Sequence, residues 1–102
     1  MTIQIQVLYY GLMKRTVGRA GETVELPEGG VLADLVRALV SRHGPPMEQL
    51  LLTSDGALRA EAAVLVNGRN AATLDGLATP LQEEDRTAIV HLAPPLTGGS
   101  GT

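Results

Sequence analysis

The residues best suited to chemistry lie at the C-terminal end, in the stretch Leu92–Thr102 with the sequence LAPPLTGGSGT. Proline fixes φ and has no N–H to donate, so Pro94-Pro95 is expected to end a strand and to direct the chain stiffly away from the body. Gly98-Gly99 follows, and residues without a Cβ can pass through a slot too narrow for other residues. This pattern predicts that the C-terminal end of the chain can reach a site buried in another protein.

The other chemistry-bearing residues form no catalytic pattern. His43 and His91 are not near acids with metal-ligand spacing, so no metal site is expected. His43 is expected at a helix end, where it can interact favourably with the helix dipole. His91 is expected to face solvent from a strand. The three serines have no adjacent base, and cysteine is absent. Without a nucleophile, a base and an orienting group together, the protein is not expected to be an enzyme by itself.

Composition narrows the class further. The chain of 102 residues is long enough for one domain, and 44% of its residues are hydrophobic. Tyr9 and Tyr10 are the only aromatic residues and the net charge is −3, which argues against nucleic acid and anionic membranes as partners. No apolar run approaches the roughly 20 residues that span a bilayer, so a cytoplasmic location is expected. The acidic group Glu83-Glu84-Asp85 is interpreted as a solvated turn, or else as a docking surface for a basic partner.

Four strands and one long helix are expected to position the C-terminal stretch. Alternating or short apolar runs predict strands over residues 2–10, 22–26, 63–66 and 86–92. Apolar residues at helical spacing from Val31 to Val40 predict a helix closed by Gly44-Pro45-Pro46. Gly11–Gly21 is interpreted as a hairpin loop, and Asn67-Gly68 as a tight turn. The order β-β-α-β-β predicts an α+β roll, with a domain over residues 1–93 and a flexible tail over residues 94–102.

Two segments are less determined. Residues 47–52 suit either a short helical turn or an extended segment, and residues 74–77 suit one helical or 3₁₀ turn.

The element order, the opening Leu8–Arg15 (LYYGLMKR) and residues 64–99 together resemble a known family. The chain is similar to the ubiquitin-like β-grasp sulfur carriers, which include the small subunit of molybdopterin synthase, the thiamine sulfur carrier and the carrier of an alternative cysteine synthesis. The Pro-Pro-x-x-Gly-Gly pattern at residues 94–99 is the most specific element of the resemblance.

The resemblance implies chemistry on Gly99. In this family an adenylating enzyme of the ubiquitin-activating type uses ATP and Mg²⁺ to activate the terminal carboxylate, and a sulfur donor converts it to a thiocarboxylate for a sulfur-accepting synthase. The carrier binds no cofactor itself and acts as a protein co-substrate, or as the small subunit of a synthase. By position, Gly99 matches the acceptor and Gly98 the second slim residue, while the residues implied in the stalk and partner docking are Tyr10, Leu92, Ala93, Pro94, Pro95 and Leu96.

One departure from the family pattern is that Ser100-Gly101-Thr102 follows Gly99. The three residues are interpreted as an extension removed by a peptidase such as a zinc metallopeptidase, as a cloning remnant, or as a permanent block. Two other functions remain open for the chain. One is a protein modifier joined to lysines through Gly99, and the other is a β-grasp interaction domain that is never activated.

Overall fold

The first strand sets the two faces of the sheet. β1 (Thr2–Gly11) alternates, burying Ile3, Ile5, Val7 and Tyr9; the residues between them face the other side of the sheet, where Gln4 and Gln6 are exposed and Leu8 is half-buried. In the computed structural model, which describes residues 1–91, β1 pairs antiparallel with β2 (Gly21–Pro27) from Thr2↔Pro27 to Leu8↔Gly21. The two strands thus share one buried face.

A five-stranded mixed sheet forms around β1. β3 (Ala62–Val66), β4 (Arg69–Asn70) and β5 (Arg86–His91) complete it in the spatial order β2-β1-β5-β3-β4. β5 lies parallel to β1 and antiparallel to β3, so the last strand is central. Asn67 and Gly68 both have positive φ, 53° and 85°, and they make the predicted tight turn between β3 and β4.

One amphipathic helix covers the buried face. α2 (Leu32–His43) buries Leu32, Leu35, Val36 and Leu39, and its first turn is fixed by Asp34, whose carboxylate accepts the Val31 N–H at 2.9 Å. The core lies between α2 and the sheet, and its largest fully buried side chains come from both layers: Tyr9, Ile5, Met13, Leu32, Leu35, Leu39, Met47, Leu51 and Ile89. The predicted α+β roll with a β-grasp sheet and one main helix is confirmed.

The connection between β1 and β2 is a helix, so its interpretation as a hairpin loop was wrong. α1 (Leu12–Val17) begins after Gly11 and ends at Gly18, which has φ of 84° and donates its N–H to the Lys14 carbonyl. Met13 is fully buried on the side of α1 that faces the core. The glycines mark the two ends of this helix and do not interrupt it.

Residues 45–51 form a further helix. α3 (Pro45–Leu51) carries its prolines in the first turn, where their missing N–H groups have no helical partner to lose. Its side chains Met47 and Leu51 are fully buried. The segment 47–52, for which the sequence allowed a short helical turn or an extended segment, is therefore helical as far as Leu51. Two 3₁₀ turns, Ala71–Thr73 and Gly76–Ala78, then lead toward β5. Within residues 1–91 no helix is long and apolar enough to cross a membrane.

Candidate functional site

The position of β5 fixes where the C-terminal stretch leaves the body. Because β5 runs parallel to β1, Tyr10 lies opposite Val90 and Gly11 lies opposite His91. The chain therefore leaves β5 at the end of the sheet where Tyr10 and α1 lie. The other implied site residues, Leu92, Ala93, Pro94, Pro95, Leu96, Gly98 and Gly99, lie outside the described residues, as does the predicted tail over residues 94–102.

The outer face of the sheet at this end is apolar. Tyr10 is 49% exposed, although it is large and mostly hydrophobic, and the adjacent side chains on β5 and β3 are half-buried. Strand pairing aligns six residues in two rows, and we refer to them as the outer apolar face: Tyr10, Val90 and Ala63 in the first row, and Leu8, Ala88 and Leu65 in the second. Contiguous exposed apolar surface on a small protein marks an interaction site.

His91 does not face solvent as expected. It lies on the same side of β5 as Thr87 and Ile89, both fully buried, and it is itself half-buried. Its Nδ1 atom is buried and makes no hydrogen bond to any residue from 1 to 91. The prediction counted Val90 as a core residue, whereas Val90 belongs to the outer apolar face.

A buried carboxylate organises the core beneath this end of the sheet. The side chain of Glu22 is 3% exposed and accepts a hydrogen bond from the Tyr9 hydroxyl. His43 Nε2 lies 2.5 Å from Glu22 Oε2, and Arg42 Nη1 lies 2.6 Å from Glu22 Oε1. Arg19 approaches the same Oε1 at 3.7 Å. Glu22 thus ties the end of α2 and the loop after α1 to the sheet.

The hydrogen bonds around Glu22 determine its ionisation. Burial alone raises the pKa of Glu22, but donors on Tyr9, Arg42 and His43 outweigh burial and bring the pKa from an ordinary 4.5 to about 2. Burial, followed by the bond to this carboxylate, raises the pKa of the Tyr9 hydroxyl. Glu22 is therefore an ionised structural group at neutral pH.

Ionised Glu22 is expected to make the stability of the protein depend on pH. Because the pKa is lower in the folded chain, the stabilisation is fully present above pH 4.5 and is lost as the pH falls toward 2. Its upper bound at neutral pH is about 3 kcal/mol. We expect Glu22→Gln to lower the free energy of urea unfolding by up to that amount at pH 7, and by progressively less toward pH 3.

The matched control for that measurement is Glu25→Gln, since Glu25 lies on the same strand with an exposed side chain. This variant is expected to unfold nearly as the wild type does. A deficit for Glu22→Gln that stays constant from pH 7 to pH 3 would contradict the assignment.

The sequence reasoning missed the Glu22 cluster, although a signal for it exists. Alternation in β1 puts Tyr9 on the buried face with Val7, and alternation in β2 puts Glu22 on that face with Val24. His43 was expected only to meet the helix dipole, and the structure gives it a carboxylate partner.

The described part of the chain offers no further catalytic or metal arrangement. No group of three or more His, Asp or Glu residues that could hold a metal ion occurs among residues 1–91. A groove of about 250 Å³ beside α2 is lined mainly by apolar side chains together with Arg37 and Glu48, and it contains no nucleophile.

Comparisons with known proteins agree with this geometry. The ThiS family matches residues 7–99 of the chain. Small archaeal modifier protein 3 from Haloferax volcanii is 25% identical over 97 residues, which cover 95% of this chain and 100% of the relative.

Two solved structures show the same fold. Small archaeal modifier protein 1 from H. volcanii aligns with a TM-score of 0.77 at 22% identity, covering 89% of this chain and 99% of the other. A chain of the BexX/CysO complex from Amycolatopsis orientalis aligns with a TM-score of 0.67 at 21% identity, covering 93% and 99%. The matched span begins at Val7 in the middle of β1 and extends through Gly99, so it includes the other four strands and the Pro-Pro-x-x-Gly-Gly stretch. The chain therefore belongs to the ThiS family, and it is a β-grasp carrier or modifier protein of that family.

Proposed function

We propose that this protein is a sulfur carrier whose Gly99 becomes its C-terminal residue after removal of Ser100-Gly101-Thr102. A partner enzyme then adenylates the Gly99 carboxylate, and a sulfur donor converts the adenylate to a thiocarboxylate. The sulfur passes to an acceptor in cofactor, amino-acid or related biosynthesis.

The chemistry explains why a carrier needs partners. A carboxylate is a poor electrophile, so its oxygen must first attack the α-phosphorus of ATP, with pyrophosphate leaving and Mg²⁺ balancing charge. Sulfur delivered by the donor as hydrosulfide then attacks the acyl carbon and AMP leaves, which replaces the C–O bond to the phosphate with a C–S bond and gives the thiocarboxylate after loss of a proton. In this proposal no side chain of the carrier takes part in either step.

The observation that carries the proposal is the pairing of β5 with β1. The parallel register puts Tyr10 and the outer apolar face beside the last described residue, His91. A partner that binds this face is therefore close to the beginning of the stretch that leads to Gly98-Gly99. We propose that Tyr10 contacts the partner together with Leu92, Ala93 and Leu96, and that Pro94-Pro95 stiffens the stalk between body and reactive end.

Removal of the last three residues is required by the same chemistry. As long as Ser100 follows, the Gly99 carbonyl belongs to a peptide bond and offers no carboxylate to ATP. We propose that a zinc metallopeptidase, the kind of enzyme already suggested by the sequence, makes this cleavage.

The intact mass of the protein purified from its native host tests the whole sequence of steps. We expect species that end at Gly99, a part of them with one oxygen replaced by sulfur. A population that ends only at Thr102 after exposure to the host's peptidases would contradict the cleavage. A population ending at Gly99 that never gains sulfur would contradict the carrier function.

The second candidate is a protein modifier, and the 25% identity to small archaeal modifier protein 3 favours it. A modifier uses the same activated Gly99 but transfers it to lysine amines of other proteins. Deleting Gly98-Gly99 distinguishes the two functions when tagged protein is followed in cells. High-mass conjugates that vanish on deletion would establish the modifier, whereas a carrier shows none.

A further inference from the structure

Charge is distributed unevenly along β1. Acidic side chains surround its beginning: Thr2 Oγ1 donates to Glu25 Oε2 at 2.7 Å, and Gln4 N donates to Glu83 Oε1 at 3.1 Å. Glu84 also joins this end, since its N–H donates to the Gln4 carbonyl at 2.7 Å. The start of β1 is therefore an acidic end of the molecule.

Basic side chains gather where β1 finishes. No Asp or Glu occurs in the first 21 residues, and α1 with the loop after it carries Lys14, Arg15 and Arg19. Arg42 joins them in space, because it and Arg19 both approach Glu22 Oε1. We call these four cations the basic end. Lys14 and Arg15 lie beyond the end of β1, a strand of ten residues that is about 30 Å long. Arg19 and Arg42 lie nearer the acidic end, because their partner Glu22 pairs with Val7 in the middle of β1.

The basic end keeps most of its positive charge for the surface. Within residues 1–91, the one carboxylate in ion-pair contact with these cations is Glu22, whose side chain is only 3% exposed. Lys14 and Arg15 are exposed and make no ion pair or side-chain hydrogen bond in that range. Four cations against one buried carboxylate leave a net positive surface on a chain whose total charge is −3.

The basic end also lies close to the point where the C-terminal stretch begins. α1 begins directly after Gly11, and Gly11 lies opposite His91 in the parallel pairing of β1 with β5. A partner that receives Gly99 and also binds the outer apolar face beside His91 therefore comes close to α1. The acidic end, at the other extreme of β1, stays far from that contact.

We propose that the basic end is an electrostatic docking surface for carboxylates on the enzyme that activates Gly99. This inference rests on the proposed function and deepens it by stating that carboxylates form an acidic rim around the partner's binding site. Attraction between an acidic rim and the basic end orients the carrier with its tail forward, while the acidic end is repelled, so wrong approaches are suppressed. A protein partner fits better than a nucleic acid, because a phosphate backbone extends past the basic end and meets the acidic remainder of the chain.

Charge reversal tests the docking surface. The double variant Lys14→Glu with Arg15→Glu is compared with Arg69→Glu and Arg86→Glu, which makes the same change in net charge near the start of β5. The activity measured is ATP–pyrophosphate exchange by the host's purified adenylating enzyme, with carriers that end at Gly99. We expect the first variant to be activated about 10-fold more slowly at low salt, with the difference shrinking as salt rises, and the control to match or exceed the wild type.

Lys14 provides an independent readout, because it is the only lysine in the chain. A carbodiimide that joins amines to carboxylates without a spacer is expected to link Lys14 Nζ to an Asp or Glu of the adenylating enzyme, with loss of water. The substitution Lys14→Arg keeps the charge and is expected to remove this cross-link, which identifies Lys14 Nζ as the amine that forms it.

The outcomes separate the two levels of inference. If neither the wild type nor any variant is activated, the proposed function fails and the docking surface fails with it. If the wild type is activated but both double variants behave alike, or Lys14 does not cross-link to that enzyme, the docking surface alone is wrong. Retention of a single-stranded oligonucleotide at physiological salt, lost in Lys14→Glu with Arg15→Glu, would overturn the choice of a protein partner.

Discussion

Replacing Gly98 with valine is expected to slow adenylate formation on Gly99 by at least about 100-fold, in a chain that ends at Gly99. A Cβ with two methyl groups does not fit a slot shaped for two glycines, so the carboxylate stops short of the α-phosphorus of ATP. A displacement of about 1 Å is enough for a loss of this size. The measurement is ATP–pyrophosphate exchange with the host's adenylating enzyme.

The control for Gly98→Val is Thr97→Val, which replaces a hydroxyl by a methyl group of similar size one residue earlier. We expect this variant to stay within a few-fold of the wild type, because it adds no bulk to either glycine. Equal activity of Gly98→Val and the wild type would contradict a narrow slot in the partner. It would also show that position 98 does not need to be glycine.

Replacing Tyr10 with aspartate is expected to weaken binding to the adenylating enzyme by about 30-fold, or about 2 kcal/mol. Tyr10 is the most exposed side chain of the outer apolar face and lies beside Val90. A carboxylate there loses water on docking without gaining a partner, and the aromatic contact is also lost. Titration calorimetry or fluorescence anisotropy measures the dissociation constant.

Two controls accompany Tyr10→Asp. Ser54→Asp adds the same charge in the exposed turn after α3, away from the outer apolar face and the basic end, and is expected to bind nearly as the wild type does. Tyr10→Phe keeps the ring and is expected to lose little affinity. A loss shared equally by Ser54→Asp and Tyr10→Asp would show a general effect of charge and would exclude the outer apolar face as the contact. Thermal melting checks that each variant is folded.

Much of the sheet follows from alternation alone. From Thr2 to Val7 in β1 and from Thr23 to Leu26 in β2, apolar and polar residues alternate, so the pattern predicts both the strands and the buried side. The Asn67-Gly68 turn and α2 are equally clear, because positive φ at two successive residues and a one-sided apolar helix each have a distinct residue signature.

Other elements depend on the rest of the fold. α1 is only six residues long, so its own hydrogen bonds do not stabilise it, and burial of Met13 does. β5 is a central strand with apolar residues on both sides, which leaves alternation ambiguous and accounts for the wrong face predicted for His91.

The candidate site divides in the same way. Its proposed reactive part, Gly98-Gly99, is inferred from the sequence alone because the proposal depends on residue types in a short segment. The outer apolar face and the basic end are assembled from residues distant in sequence, Leu8 with Leu65 and Arg19 with Arg42, so they appear only when the strands are paired.

The most direct test of the carrier function is the mass of a Gly99-terminated chain after incubation with ATP, Mg²⁺, a sulfur donor and the host's adenylating enzyme. The account predicts replacement of one oxygen by one sulfur, dependent on ATP and absent from the chain that still carries Ser100-Gly101-Thr102. An unchanged mass, in a reaction where the enzyme is active on another carrier, would contradict it.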